Sequence, residues 1–192
     1  TGTTPAQHGI GSNYVFSRET RQVQNIFVSE KHLGIGTSTS YSAAPLLCAT
    51  VTDRLRLRDG ADTRIYAVGL EPASTILLAG HAANACCWIG PSAKNDSLRW
   101  VSTSYYKEGL PSVADRQNMN GDLSRTLART WSPRLELATY LCPTDEEKKH
   151  SFAYRIADSS VDRFAYSNTA VVNLALALQE DKKLGKGTAQ DV

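Results

Sequence analysis

Arginine and leucine alternate through Arg54-Leu55-Arg56-Leu57-Arg58. Successive side chains on a strand point to opposite faces, so a strand here lines up the three arginines on one face and both leucines on the other. The next residues, Asp59-Gly60-Ala61-Asp62, are turn chemistry, and Thr63-Arg64-Ile65-Tyr66-Ala67-Val68 begins a second β-prone run. The pattern predicts a hairpin with a cationic stripe on one side and an apolar face on the other. Upstream, residues 46–53 alternate with imperfect parity, which predicts a bulge or bend.

Other segments follow the same reading. Residues 23–28 are strand-like, and residues 34–42 form a Gly/Ser/Thr-rich loop. Residues 75–89 are the most apolar stretch, and their periodicity fits a short buried helix or a buried strand kinked at Gly80. Residues 98–106 read as a strand. Residues 111–131 are the best helical region, interrupted by Gly121, and residues 135–141 read as another strand. Phe152, Tyr154 and Ile156 alternate with smaller residues, and Phe164 and Tyr166 continue the pattern. Val172, Leu174, Leu176 and Leu178 fall on one strand face. About eight short strands with turns between them predict a mainly β fold: a single β-sandwich, jelly-roll-like, with one or two short helices. The whole of 1–192 reads as a single domain, with an N-terminal arm over 1–17 and a C-terminal arm over 180–192.

Composition changes this picture little. The 192 residues are 41% hydrophobic and 21% charged, enough for one core. The net charge of +2 is low for a generic nucleic-acid-binding domain, so any polyanion contact has to come from a local patch. Arg54, Arg56, Arg58 and Arg64 are the candidates for a nucleic-acid or subunit contact, since guanidinium forks suit phosphates and carboxylates alike. A solvated sheet surface paired with Asp53, Asp59 and Asp62 is the plainer alternative. No run of about 18 apolar residues predicts a membrane span, and no secretory signal is visible, which points to the cytoplasm or a virion. Cys48, Cys86, Cys87 and Cys142 lack paired metal-ligand spacing and read as reduced, buried thiols, so neither a metal site nor a cofactor is expected.

No strong catalytic motif stands out. Cys87-Trp88 followed by His150, with Asp162 or Asn168 to orient the imidazole, resembles the order in papain-like leader proteases of RNA viruses. That resemblance implies a Cys87 nucleophile with His150 as its base. Gly90-Pro91 follows where those enzymes continue a helix, and a doubled cysteine in an apolar run also reads as core packing. Gly80-His81-Ala82 is similar to the surroundings of a trypsin-like histidine, without a matching serine motif. Val101-Ser102-Thr103-Ser104 resembles the Ser-Thr-Ser strand of toxin-type ADP-ribosyltransferases, but no Glu-x-Glu follows, and a solvent-facing strand is the simpler reading.

The leading expectation is therefore a structural, self-assembling protein rather than an enzyme. In profile it resembles the small coat proteins of icosahedral RNA viruses, which implies a shell of identical subunits, single-stranded RNA as a partner and no membrane. The protease is the first alternative. A ligand- or carbohydrate-binding sandwich using Tyr105 and Tyr106 is the second.

Overall fold

The structure is a computed structural model and describes residues 1–95, 97–135, 139, 155–156 and 160–192. It is mixed α/β, and the expected jelly-roll sandwich is not formed. Four strands make the main sheet: β3 (Gly34–Ile35), β4 (Tyr66–Gly69), β5 (Ala85–Pro91) and β6 (Leu98–Thr103). Their order is β3-β6-β5-β4, with β4 parallel to β5 and the other two pairs antiparallel. A separate two-stranded hairpin pairs β1 (Tyr14–Ser17) with β2 (Gln22–Asn25), after the short helix α1 (Pro5–His8).

Helices cover both faces of the main sheet. The residues Cys86 and Trp88 of β5 belong to a core with Phe27, Ile65, Ile76 and Tyr106. Their neighbours Cys87 and Ile89 belong to a second core with Trp100, Leu123, Leu174 and Leu178. Period-two alternation along one buried strand thus divides the two apolar layers. The first layer lies under α3 (Pro72–Ala79), on which α2 (Val51–Asp59) packs in turn. The second lies under α4 (Ser112–Asn120), α5 (Asp122–Leu127) and α6 (Ala165–Asp181).

Two long segments read as strands are helices, and each has a local reason. The Arg/Leu stripe is α2. Its N-terminus is a capping box in which the Thr50 side chain accepts from the Asp53 N–H and the Thr50 N–H donates to Asp53 Oδ2 at 2.9 Å. Leu57 is exposed, so no apolar strand face exists there. The segment 171–178 lies within α6. Leu174 and Leu178 are 0% and 2% exposed, whereas Val172 and Leu176 are 55% and 58% exposed. Burial therefore recurs at Ala170, Leu174 and Leu178, the four-residue spacing of a helix face. The interleaved alanines are strong helix formers and tip the choice.

The apolar stretch 75–89 resolves into both of its alternatives, α3 and then β5, joined through Gly80 at φ +69°. A side chain on Gly80 would collide with Thr50 Oγ1 at 2.2 Å, so this turn needs glycine. The helical region expected over 111–131 is α4 and α5, broken at Gly121, φ +71°. The readings at 136–138, 140–154 and 157–159, which include His150, Phe152 and Tyr154, lie outside the described residues. Among the described residues, no helix is long and apolar enough to cross a membrane.

Candidate functional site

The β4–α3–β5 unit sets a loop, residues 69–72, at the carboxyl end of β4. β4 and β5 run parallel, in a register that pairs Gly69 with Trp88. Open α/β sheets bind ligands outside the carboxyl ends of such strands, and the chain here leaves β4 through Gly69-Leu70-Glu71-Pro72 into α3. Pro72 sits at the first helical position, which its fixed φ suits. Gly69 is required because a Cβ there would meet Thr75 Oγ1 at 2.0 Å. The Thr75 hydroxyl in turn donates to the Glu71 carbonyl at 2.5 Å.

Three polar side chains gather beside this helix start. The Glu71 carboxylate accepts from the Ser74 N–H at 3.0 Å and so caps α3 with its own charge. Tyr41 packs edge-on against Trp88, ring centroids 5.5 Å apart. Burial raises the Tyr41 phenol above its ordinary value, and the nearby Tyr14 and Glu71 raise it further. Tyr41 is therefore a neutral hydroxyl donor across the working pH range. Tyr14 stands on the exposed hairpin strand β1.

The residues expected to carry function are placed elsewhere. Arg54 is exposed on α2. Arg56 is a structural clamp that donates to the carbonyls of Ala61, Thr63 and Ala82 and to Asn84 Oδ1. Arg58 pairs with Asp59 at 2.6 Å and bonds Gln190. Arg64 pairs with Asp191 at 2.6 Å and donates to the Lys182 and Lys183 carbonyls. Arg56, Arg58 and Arg64 are thus engaged inside the molecule, not ranged along one sheet face. Tyr106 is buried and donates to the Gly80 carbonyl at 2.9 Å, and Tyr105 stacks edge-on against it and His32. Ser102 and Thr103 are buried too, bonded to the carbonyls of Cys86, Gly109 and Tyr41. This is not the solvent-facing strand expected from sequence.

Cys87 is buried in the second core, and burial pushes its thiol up to about 12. A thiol held so far from ionisation is no nucleophile. Asp162 is described, but the proposed base His150 lies outside the described residues. His81 is held at both ring nitrogens, by Asp53 Oδ2 at 2.9 Å and by the Leu46 carbonyl at 2.8 Å. Both ring nitrogens are thus engaged within the protein, and neither is turned toward a metal or a substrate. Among the described residues, no group of three or more His, Cys, Asp or Glu side chains converges as a metal site.

Sequence reasoning singled out neither Glu71 nor Tyr41. A usable signal was present: a β-prone run over 63–68, then Gly69, then Glu71-Pro72 opening an apolar helix.

Comparison with known proteins places this fold. No family model matches. The chain is 24% identical over 160 residues to a protein named calcium-transporting ATPase of Myroides odoratus, covering 81% of this chain and 28% of that protein. It is 26% identical over 165 residues to alkaline phosphatase PhoV of Synechococcus elongatus, covering 83% of this chain and 29% of that one. The crystal structure of wild-type alkaline phosphatase PafA matches with a TM-score of 0.82 and 22% identity, over 100% of this chain and 40% of that chain. The chain thus spans less than a third of the length of these curated relatives. The likeness to PafA overturns both the coat-protein and the sandwich expectations, and with them the papain-like alternative: the fold is that of an alkaline phosphatase segment.

Proposed function

We propose that this chain forms part of a phosphoester-hydrolysing enzyme and contributes one wall of its substrate crevice. What supports the reading is the fold shared with PafA together with the position of Glu71 just past the carboxyl end of β4 and of Tyr41 against Trp88, the residue that pairs with Gly69. Among the described residues, no group of three or more His, Cys, Asp or Glu side chains could hold a metal ion. The role assigned to Tyr41 and Glu71 is positioning and electrostatic selection.

Each group has a definite task in that reading. Tyr41 offers an O–H to a phosphoryl oxygen. Glu71 sets the charge. Proline supplies no N–H at Pro72, the Ser74 N–H is taken by the Glu71 carboxylate, and the Thr75 N–H by the Glu71 carbonyl. The start of α3, which would otherwise attract an anion, is occupied by the protein's own carboxylate. A carboxylate so placed opposes a phosphate dianion about twice as strongly as a diester monoanion, because the repulsion scales with the ligand charge.

Titrating the chain with inorganic phosphate near pH 8, followed by amide chemical shifts, tests this reading. Shifts should concentrate at Tyr41, Glu71 and Ala73. Glu71→Gln keeps the cap acceptor, removes the charge, and should tighten phosphate binding by roughly tenfold. Shifts centred on Arg54 or Arg125, or no tightening in the variant, would count against it.

A further inference from the structure

The outer edge of β4 is built as an interior strand yet has almost no neighbour. β4 is the last strand in the sheet, and its odd-numbered residues turn their backbone toward β5, as the Ile65 carbonyl does in accepting from the Asn84 and Ala85 N–H groups. The even-numbered residues therefore present theirs outward. Val192 meets them: its N–H donates to the Arg64 carbonyl at 2.9 Å, and its carbonyl accepts from the Tyr66 N–H at 2.8 Å. One residue bonded in this sense to both flanks of Ile65 is a rung of a parallel ladder. The chain at Asp191 and Val192 thus travels beside β4 in the same direction. The next rungs require the Tyr66 carbonyl and the Val68 N–H and carbonyl, which have no hydrogen-bond partner among the described residues.

The surroundings of that edge are apolar. A groove of about 590 Å³ runs along it, walled by Val51 and Leu78 from α2 and α3 and by Ala175 and Leu184 on the α6 side. Val51 and Leu78 are 69% and 66% exposed, an unusual state for large apolar residues that flank a sheet on the same side. The sequence Tyr66-Ala67-Val68-Gly69 has none of the charges, prolines or bulges by which natural edges are blunted. Strands between two helical layers are apolar on both faces, as this one is.

We propose that this edge seats a further strand, parallel to β4 and supplied by polypeptide that runs on in the direction set by Asp191 and Val192. The strand is apolar on both faces, because one face meets Val51 and Leu78 and the other meets α6. The curated relatives, of which the chain covers less than a third, have the length to supply such a segment. The inference rests on the fold and holds whether or not the phosphoester reading does.

Amide hydrogen exchange tests it on the 192-residue chain and on two extended forms. One form carries Ile-Val-Val-Thr-Lys-Lys after Val192, and the other carries Gly-Ser-Gly-Ser-Lys-Lys. Exchange at Val68 should be fast in the unextended chain and slow by roughly tenfold or more with the apolar extension only. Three results would overturn the proposal: no slowing with the apolar extension, equal slowing with both, or slowing in the unextended chain that grows with protein concentration. The last would assign the edge to a second copy.

Discussion

Asp53 carries five hydrogen bonds on two oxygens. Oδ2 accepts from the Thr50 N–H and hydroxyl and from His81 Nδ1, and Oδ1 accepts from the N–H groups of His81 and Ala82. Burial alone pushes this carboxyl up, but the hydrogen bonds from Thr50, His81 and Ala82 outweigh it and hold the group below its ordinary value. One side chain thereby fixes the start of α2 to the turn that joins α3 to β5. Asp53→Ala leaves buried donors without partners and should cost about 3 kcal/mol in urea unfolding. Asp53→Asn should recover little of it, because an amide nitrogen must then face donors. Arg54→Ala, one residue on but exposed, should change stability by less than about 0.5 kcal/mol. Equal losses at both positions would mean that the Arg stripe, not the Asp53 hub, organises this helix. The hub was legible in part: Thr50 and Asp53 stand at capping-box spacing, a signal that the Arg/Leu alternation overshadowed.

At the scale of elements, the difficulty lay in short apolar runs, where period two and period four coincide on alternate residues. Val172, Leu174, Leu176 and Leu178 satisfy a strand face, and Leu174 and Leu178 alone satisfy a helix face. Only packing separates them. α6 lays Ala170, Leu174 and Leu178 on the second core, where α5 and the strands β4 and β6 wait. Residues 98–103 and 111–127 were readable because β-branched and aromatic density, or a glycine break, left one solution. Leu174→Ala should destabilise the fold by about 3 kcal/mol, while Leu176→Ala, exposed and helix-favouring, should be neutral within about 0.5 kcal/mol. A strand would give both positions the same cost, so thermal or urea unfolding of the two variants decides between the two elements.

For the whole molecule, the topology was hidden because it depends on long-range closure. The parallel pairing of β4 with β5 needs α3 between them, and the candidate site draws Tyr14, Tyr41 and Glu71 from distant points of the chain. Neither leaves a local pattern. The same closure rests on three acidic clamps. Asp53 holds the 80–82 turn. Glu108 accepts from Tyr66, Asn84 and Lys182. Asp191 accepts from Arg64 and from the Gly185 N–H, which ties the last residues to β4. All three lie below their ordinary values: Asp53 and Glu108 through hydrogen bonds that overcome burial, and Asp191 chiefly through the Arg64 guanidinium. A carboxyl lowered in the folded state stabilises it above the unfolded value and loses that contribution as the pH falls through the folded one. The unfolded values are 3.8 for the aspartates and 4.5 for the glutamate. The melting temperature should therefore hold steady above about pH 5 and drop from there toward about pH 3, as the unfolded chain takes up protons that the folded one refuses. Glu108→Gln, which leaves an acceptor for Tyr66 but removes one titrating group, should lower the melting temperature at neutral pH and flatten the acid slope. A slope unchanged by Glu108→Gln would show that this clamp does not set the acid limit of the fold.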